Sequence, residues 1–287
     1  MVSDRDLFLA TGEDSGTAFT VDALDLASGA SAPRTLTFVD DLGFLEVALS
    51  NSHVAVILGT AEVAAAAQGV LQSQALIIVD DPRWSFYTLF NSLAAAKPQP
   101  PVTRIDDSAA ISPLAWIAPR GVVIGSGCVI EPFAALHSGV TLGNDVVVRA
   151  HAVIGSVGFE HKRTSRGVLS VTHDGGVTVG DRSEIGSHVN IAQGFARRET
   201  VLGREIRIDS MTHVAHGCQI DDQVFIAAGV TLSGSVTVGA GSWLGPGVVV
   251  KDQITIGREA RVAIGALVLR DVPAKGRVAG HPARGQI

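Results

Sequence analysis

Every sixth residue from Leu202 to Val268 is aliphatic: Leu202, Ile208, Val214, Ile220, Ile226, Leu232, Val238, Leu244, Val250, Ile256, Val262 and Val268. The residue that follows is small or polar in most units, as in Leu202-Gly203, Ile220-Asp221 and Ile226-Ala227. The same register recurs as Ile124, Ile130, Leu136, Leu142, Val148 and Ile154, and again as Val179, Ile185 and Ile191. Ile105, Ile111 and Ile117 start the series, one residue out of step with Ile124. A period of six fits neither a helix, at 3.6, nor an alternating strand, at two. It fits a parallel β-helix, in which each short strand sends one aliphatic side chain inward and turns at a small residue. Three units close one triangular coil, and stacked coils bury a continuous aliphatic column. Their strands pair by ordinary ladder hydrogen bonds, so coils should lie ~4.8 Å apart. A β-sandwich with coincidental spacing would not hold twelve positions in phase.

Two stretches interrupt the period. Residues 155–178, GSVGFEHKRTSRGVLSVTHDGGVT, are charged and glycine-rich, and residues 192–201, AQGFARRETV, break the register again. Loops thrown out from a rigid solenoid are its usual carriers of function. The alternative, tolerated surface insertions, stays open. Their His, Lys and Arg content favours substrate contact, with Gln193 and Arg197 as candidates.

Residues 1–104 lack the period. VAVILG (54–59) and ALIIVD (75–80) read as short buried strands, and AEVAAAAQGVLQ (61–72) and WSFYTLFNSLAAA (84–96) as helices. Alternating strands and helices imply a small α/β domain. The Pro-rich segment KPQPPVT (97–103) reads as a linker to a β-helix domain spanning 105–287. No phosphate-binding glycine loop of the GxGxxG or GxxxxGK type is present.

A net charge of −6 gives no reason to expect nucleic acid or an anionic membrane as partner. No apolar run approaches the ~18 residues that span a bilayer. Asp4 and Asp6 stand where a signal peptide would carry positive charge. Cys128 and Cys218 both lie in strand-like sequence and read as reduced, buried thiols of a cytoplasmic protein.

MTHVAHGCQI (211–220) places two histidines, His213 and His216, on either side of the inward Val214, so both point outward. Three readings compete: metal ligands, a catalytic base with a helper, or polar residues on a solvent-facing strand. A metal site would need a third well-placed partner.

An α/β domain, a short linker and hexapeptide repeats together resemble the N-acyltransferases of lipid A synthesis, within the left-handed β-helix superfamily. The local motifs are similar too. RTLTFVDDLGFLEVAL (34–49) resembles the family segment in which two aromatics sandwich a uracil ring, which maps to Phe38 and Phe44. Asp41 replaces an Asn of that motif. VGDRSEIGSHVNIAQGFARRETVLG (179–203) and IDSMTHVAHGCQI (208–220) are similar to the family's second loop and catalytic coil. The resemblance implies His216 as general base, the Gly234 N–H, three units further on, as oxyanion donor, and His213 as a substrate contact. It also implies a homotrimer. The HVAH spelling resembles the sister O-acyltransferases as well. A carboxylate often follows the catalytic histidine in related acetyltransferases, but here Gly217 does, which leaves Asp209 as a candidate orienting group.

The end of the chain departs from the lipid A enzymes. IGALVLRDVPAKGRVAGHPARGQI (264–287) resembles instead the last stretch of acetyl-CoA-dependent hexapeptide transferases, which implies Arg270, Arg277 and Arg284 near the CoA phosphates. Lys251-Asp252 stands where the lipid A enzymes carry a Gly-His pair. The expectation is an N-acyltransferase with no bound cofactor, acting on a nucleotide-linked amino sugar. Acyl-CoA would serve as co-substrate, with acyl carrier protein and the lipid A reaction as the alternative. A γ-type carbonic anhydrase-like metal protein and a non-catalytic nucleotide-sugar binding scaffold are the readings from other classes.

Overall fold

In the computed structural model, Ile208 pairs with Ile226 and Ile226 with Leu244, each partner eighteen residues on. Three six-residue units therefore make one turn of chain. The turns build three parallel walls. The first holds eight strands from Arg104–Ile105 to Thr255–Ile256, and the third holds eight from Trp116–Ile117 to Leu267–Val268. The second runs in parallel from Ala110–Ile111 to Arg277–Ala279 and adds Arg284–Gly285 antiparallel. The structure describes residues 1–196 and 198–281, with the backbone of 284 and 285. All twelve periodic aliphatics from Leu202 to Val268 are buried in one column. The early slip is real: Ile105 pairs with Ile124, Ile111 with Ile130 and Ile117 with Leu136, nineteen residues apart.

Glycine after an inward aliphatic follows from the stacking of coils. A Cβ on Gly180 would lie 2.6 Å from the Gly203 carbonyl carbon, and one on Gly239 2.5 Å from Arg258 N. The first corner, between walls one and two, is stitched by side chains. The N–H groups of Ser126, Asn144 and Arg204 donate to the Oδ1 atoms of Asn144, Asp181 and Asp222, one coil further on, at 2.8–3.0 Å.

By contact, the chain divides into two compact units: Gln99–Phe159 with His173–Ile287 carries the coil, and Met1–Pro98 with Glu160–Thr172 forms the other. From Gln99 onward the expected linker thus lies in the coil unit, where Val102 bridges Arg120 and Thr103 N–H donates to Pro119 O.

The N-terminal unit holds a parallel sheet ordered Ala23–Leu24, Thr35–Val39, Val54–Gly59, Ala75–Ile78. Its helix Pro82–Ala95 starts two residues before the sequence reading because Asp81 accepts from Trp84 N–H and Pro82 occupies the first turn. Helix Ala61–Ala67 ends earlier than expected, just before Gly69 turns left-handed. Residues 160–172, read from their place in the sequence as a loop of the coil, form a hairpin in this unit, His161–Thr164 against Gly167–Ser170. It is fastened to the long helix by Arg166 over the Trp84 ring at 3.6 Å and by Ser165 N–H to Asp81 Oδ2 at 2.6 Å. Asn91 bonds both Ser170 O and Thr172 N–H at 2.8 Å.

Candidate active site

Val214 points into the column, fully buried, so the chain must turn two residues later, and His216 sits on that turn. This is the third corner, between the third and first walls. Gly217 closes the turn with φ +70° and donates its N–H to the buried Thr200 Oγ1 at 2.9 Å. Both interrupting loops leave the coil at this corner, and they interlock. Asp174 Oδ1 accepts from Ala196 N–H (3.2 Å), Gly175 N–H donates to Gly194 O (3.0 Å) and Thr200 N–H to Gly176 O (3.1 Å).

The two loops deliver two buried rings to His216. Phe195 meets it edge-on at 5.1 Å between centroids and His173 at 5.9 Å, and these two meet each other at 5.4 Å. Sequence reasoning singled out neither residue. The signal available was that both lie where the period breaks.

One coil along the same corner stands Gly234, with the His216 imidazole lying against its backbone. A Cβ at Gly234 would fall 2.6 Å from His216 Cε1 and Nε2. The neighbouring N–H groups of Ser233 and Ser235 donate to Val250 O and His216 O. The Gly234 N–H has no hydrogen-bond partner among the described residues. Asp252, which stands one coil further on in the place of the first-corner caps, instead accepts from Gln253 Nε2 at 3.1 Å. An imidazole and an uncommitted N–H thus lie side by side. Next to them, on the first wall, a depression of about 510 Å³ is lined by Arg198, Glu199, Gly217, Gln219, Ser235 and others.

The remaining candidates separate. His213 lies outward on the third wall between Asn190 and Thr231, and partial desolvation holds its pKa below the ordinary value. Gln193 opens the second loop, its N–H bonded to Ser156 O, and Arg197 lies outside the described residues. Asp209 is corrected as an orienting group: it sits at the second corner, a strand away from His216, and its carboxylate accepts from Ser210 N–H. Arg277 stacks beside Arg261 on the second wall, whereas Arg270 is exposed at the third corner, because the six residues between them cross from one side of the coil to another. The Arg284 side chain lies outside the described residues.

In the N-terminal unit, Phe38 is half-buried against Phe86 and Tyr87, at 5.0 and 5.6 Å, while Phe44 is 59% exposed. Asp41 Oδ1 accepts from Gly43 N–H, holding the turn that carries Phe44. Cys128 and Cys218 are buried free thiols, and burial pushes Cys218 up to about 12, far from nucleophile chemistry. Among the described residues no three His, Cys, Asp or Glu side chains converge as metal ligands, and no helix is long and apolar enough to cross a membrane.

Residues 121–156 match the family described as bacterial transferase hexapeptide (six repeats). This is a hexapeptide-repeat coil. The UDP-N-acetylglucosamine acyltransferase from Campylobacter jejuni shares the left-handed β-helix fold at TM-score 0.57 and 20% identity, over 66% of this chain and 73% of its own. The UDP-3-O-acylglucosamine N-acyltransferase of Pseudomonas fluorescens is 34% identical over 99 residues, 34% of this chain and 28% of the relative. That of Methylorubrum extorquens is 34% identical over 143 residues, 50% of this chain and 40% of the relative. The chain spans less than half the length of these curated relatives.

Proposed function

We propose that this hexapeptide-repeat chain is an N-acyltransferase that moves an acyl group from a thioester to the amine of a nucleotide-linked amino sugar. The observation that carries the reading is the pairing at the third corner: an imidazole, His216, lying against the Gly234 backbone, whose N–H has no partner among the described residues. Acyl transfer needs that pair. The amine nitrogen attacks the thioester carbonyl carbon, and a C–N bond forms as the amine proton passes to His216. Charge gathers on the carbonyl oxygen, where the Gly234 N–H donates to it. The tetrahedral intermediate then breaks its C–S bond, and the imidazolium returns the proton to the departing thiolate. Neither buried cysteine takes part, so transfer is direct, without an acyl-enzyme.

Phe38 and Phe44 hold the base of the nucleotide, with Phe44 supplying the exposed face. His213 and Gln193 contact the sugar or its phosphates, and Arg197 joins them. Acyl-CoA is the favoured donor, with Arg270, Arg277 and Arg284 as its phosphate contacts. The chain acts as a cytoplasmic homotrimer, and a monomer by light scattering would remove the inter-subunit cleft this requires. A second reading, the lipid A reaction with hydroxyacyl carrier protein, is favoured by the names of the curated relatives.

Thiol release from acetyl-CoA across a panel of UDP- and dTDP-linked amino sugars tests the proposal. Release with one sugar supports it and fixes donor and acceptor together. Release only from 3-hydroxyacyl carrier protein selects the second reading, and silence with both donors refutes the activity.

A further inference from the structure

A histidine ring turns easily about its last torsion, because rotation at an sp³–sp² bond has broad wells. A base that must accept a proton along one direction therefore needs its plane held by something else. The geometry points to His173 and Phe195 as positioning residues that fix the plane of the His216 imidazole, a role that rests on the proposed base chemistry. Both side chains are buried, at 8% and 9% exposure. Their rings meet His216 at interplanar angles of 69° and 62° and each other at 62°, so three rings stand mutually edge-on. The Gly234 backbone closes another side of the imidazole. Behind His173 stands Gly158, where a Cβ would lie 2.6 Å from His173 Nε2 and 3.4 Å from His216 Cβ.

This enclosure is anchored to the corner it serves. The loop carrying His173 and the loop carrying Phe195 are joined through Asp174 and Ala196, and Thr200 ties the second loop to Gly217 beside His216. The interruptions of the period thus shape the surroundings of one side chain. What they supply is ring shape, since edge-on aromatic contact constrains orientation without needing charge. Misplacing a catalytic group by about 1 Å costs on the order of 10²-fold in rate, so loss of either wall should register in kcat.

The test uses the full chain, with His173→Ala, Phe195→Ala, His173→Phe and Gly158→Ala variants. One readout is the ring nitrogen NMR of His216, assigned by its loss in His216→Ala; the other is thiol release from acetyl-CoA with the sugar the panel selects. The expected result is a single ordered His216 ring signal in the parent, disturbed in both alanine variants and restored by His173→Phe. Turnover should fall ~10- to 100-fold in the alanine variants with KM within about 2-fold, and recover in His173→Phe. Gly158→Ala, which only pushes one carbon at His173, should reproduce part of the loss even where an alanine variant folds poorly. In a His216→Ala background, His173→Ala should add nothing, because a residue acting through another has no effect once that other is gone. An unchanged His216 signal in both alanine variants, or a His173→Phe variant no better than His173→Ala, would overturn the assignment. Full turnover in His216→Ala would instead sink the base reading, while the NMR result would still decide whether the rings hold the imidazole.

Discussion

The first and third corners of the coil are made from the same backbone turn and used in opposite ways. At the first, the N–H groups of Ser126, Asn144 and Arg204 are consumed by Asn144, Asp181 and Asp222, each reaching back from the next coil. At the third, the position two after Val214 is an imidazole, the position two after Leu232 is a glycine, and among the described residues nothing pairs with the Gly234 N–H. A polar group spent on stacking coils is unavailable to a ligand. The contrast teaches that the same turn serves stacking where the next coil returns an Asn or Asp, and stays open to a ligand where it returns a glycine against an imidazole.

The comparison is broken most directly at the third corner. His216→Ala should cost at least ~10²-fold in turnover while nucleotide-sugar binding and the melting temperature stay near parental values. Near-normal turnover would remove the base. Gly234→Ala keeps the N–H but drives a carbon into the imidazole, so a loss of ~10²-fold in kcat is expected, again with the fold intact by circular dichroism. The first corner should answer the other way. Asp222→Ala deletes the cap on the Arg204 N–H together with its guanidinium partner, and should lower the melting temperature by roughly 2–4 °C with kcat unchanged. A drop in kcat there would mean that the corners are not independent.

Two smaller effects sharpen the picture. Cys218 should resist a thiol reagent at pH 8 in the folded protein and react fully in denaturant, since burial holds it protonated. Rapid labelling of the native chain would show that the column opens. His213 has a pKa lowered by desolvation, so the unfolded chain binds its proton more readily than the folded one. Stability carried by neutral His213 is therefore complete above the unfolded value of ~6.5 and is lost as pH falls below it. A His213→Asn variant should lose slightly less stability than the parent between about pH 6.5 and 5, read by denaturant midpoints.

Much of this was legible in the sequence, and the parts that were not share a cause. Inward burial from Leu202 to Val268, the one-residue slip before Ile124 and the nearness of His216 to Gly234 all follow from counting sixes and eighteens. The period speaks only for residues that stay in step. His173 and Phe195 lie out of step, and their meeting with His216 depends on bonds such as Ala196 N–H to Asp174, which no spacing announces. The hairpin at 160–172 was misplaced for the same reason, since its partners Trp84 and Asn91 lie some eighty residues earlier. Arg270 and Arg277 look adjacent in the sequence, yet a coil turns a seven-residue step into a change of side.

A fold that repeats every six residues carries a site that repeats only every eighteen, and insertions and deletions will tell the two apart. Removing six residues from the regular stretch between His216 and Gly234 would keep every aliphatic side chain facing inward, so the column would still close. It would also rotate everything downstream by a third of a turn, carrying Gly234 away from the imidazole to a neighbouring corner. Removing eighteen, residues 217–234, would restore the phase and bring a different residue, Asp252, into Gly234's place. The pairing of His216 with Gly234 can therefore be lost by a change of phase alone, with the aliphatic column still closed.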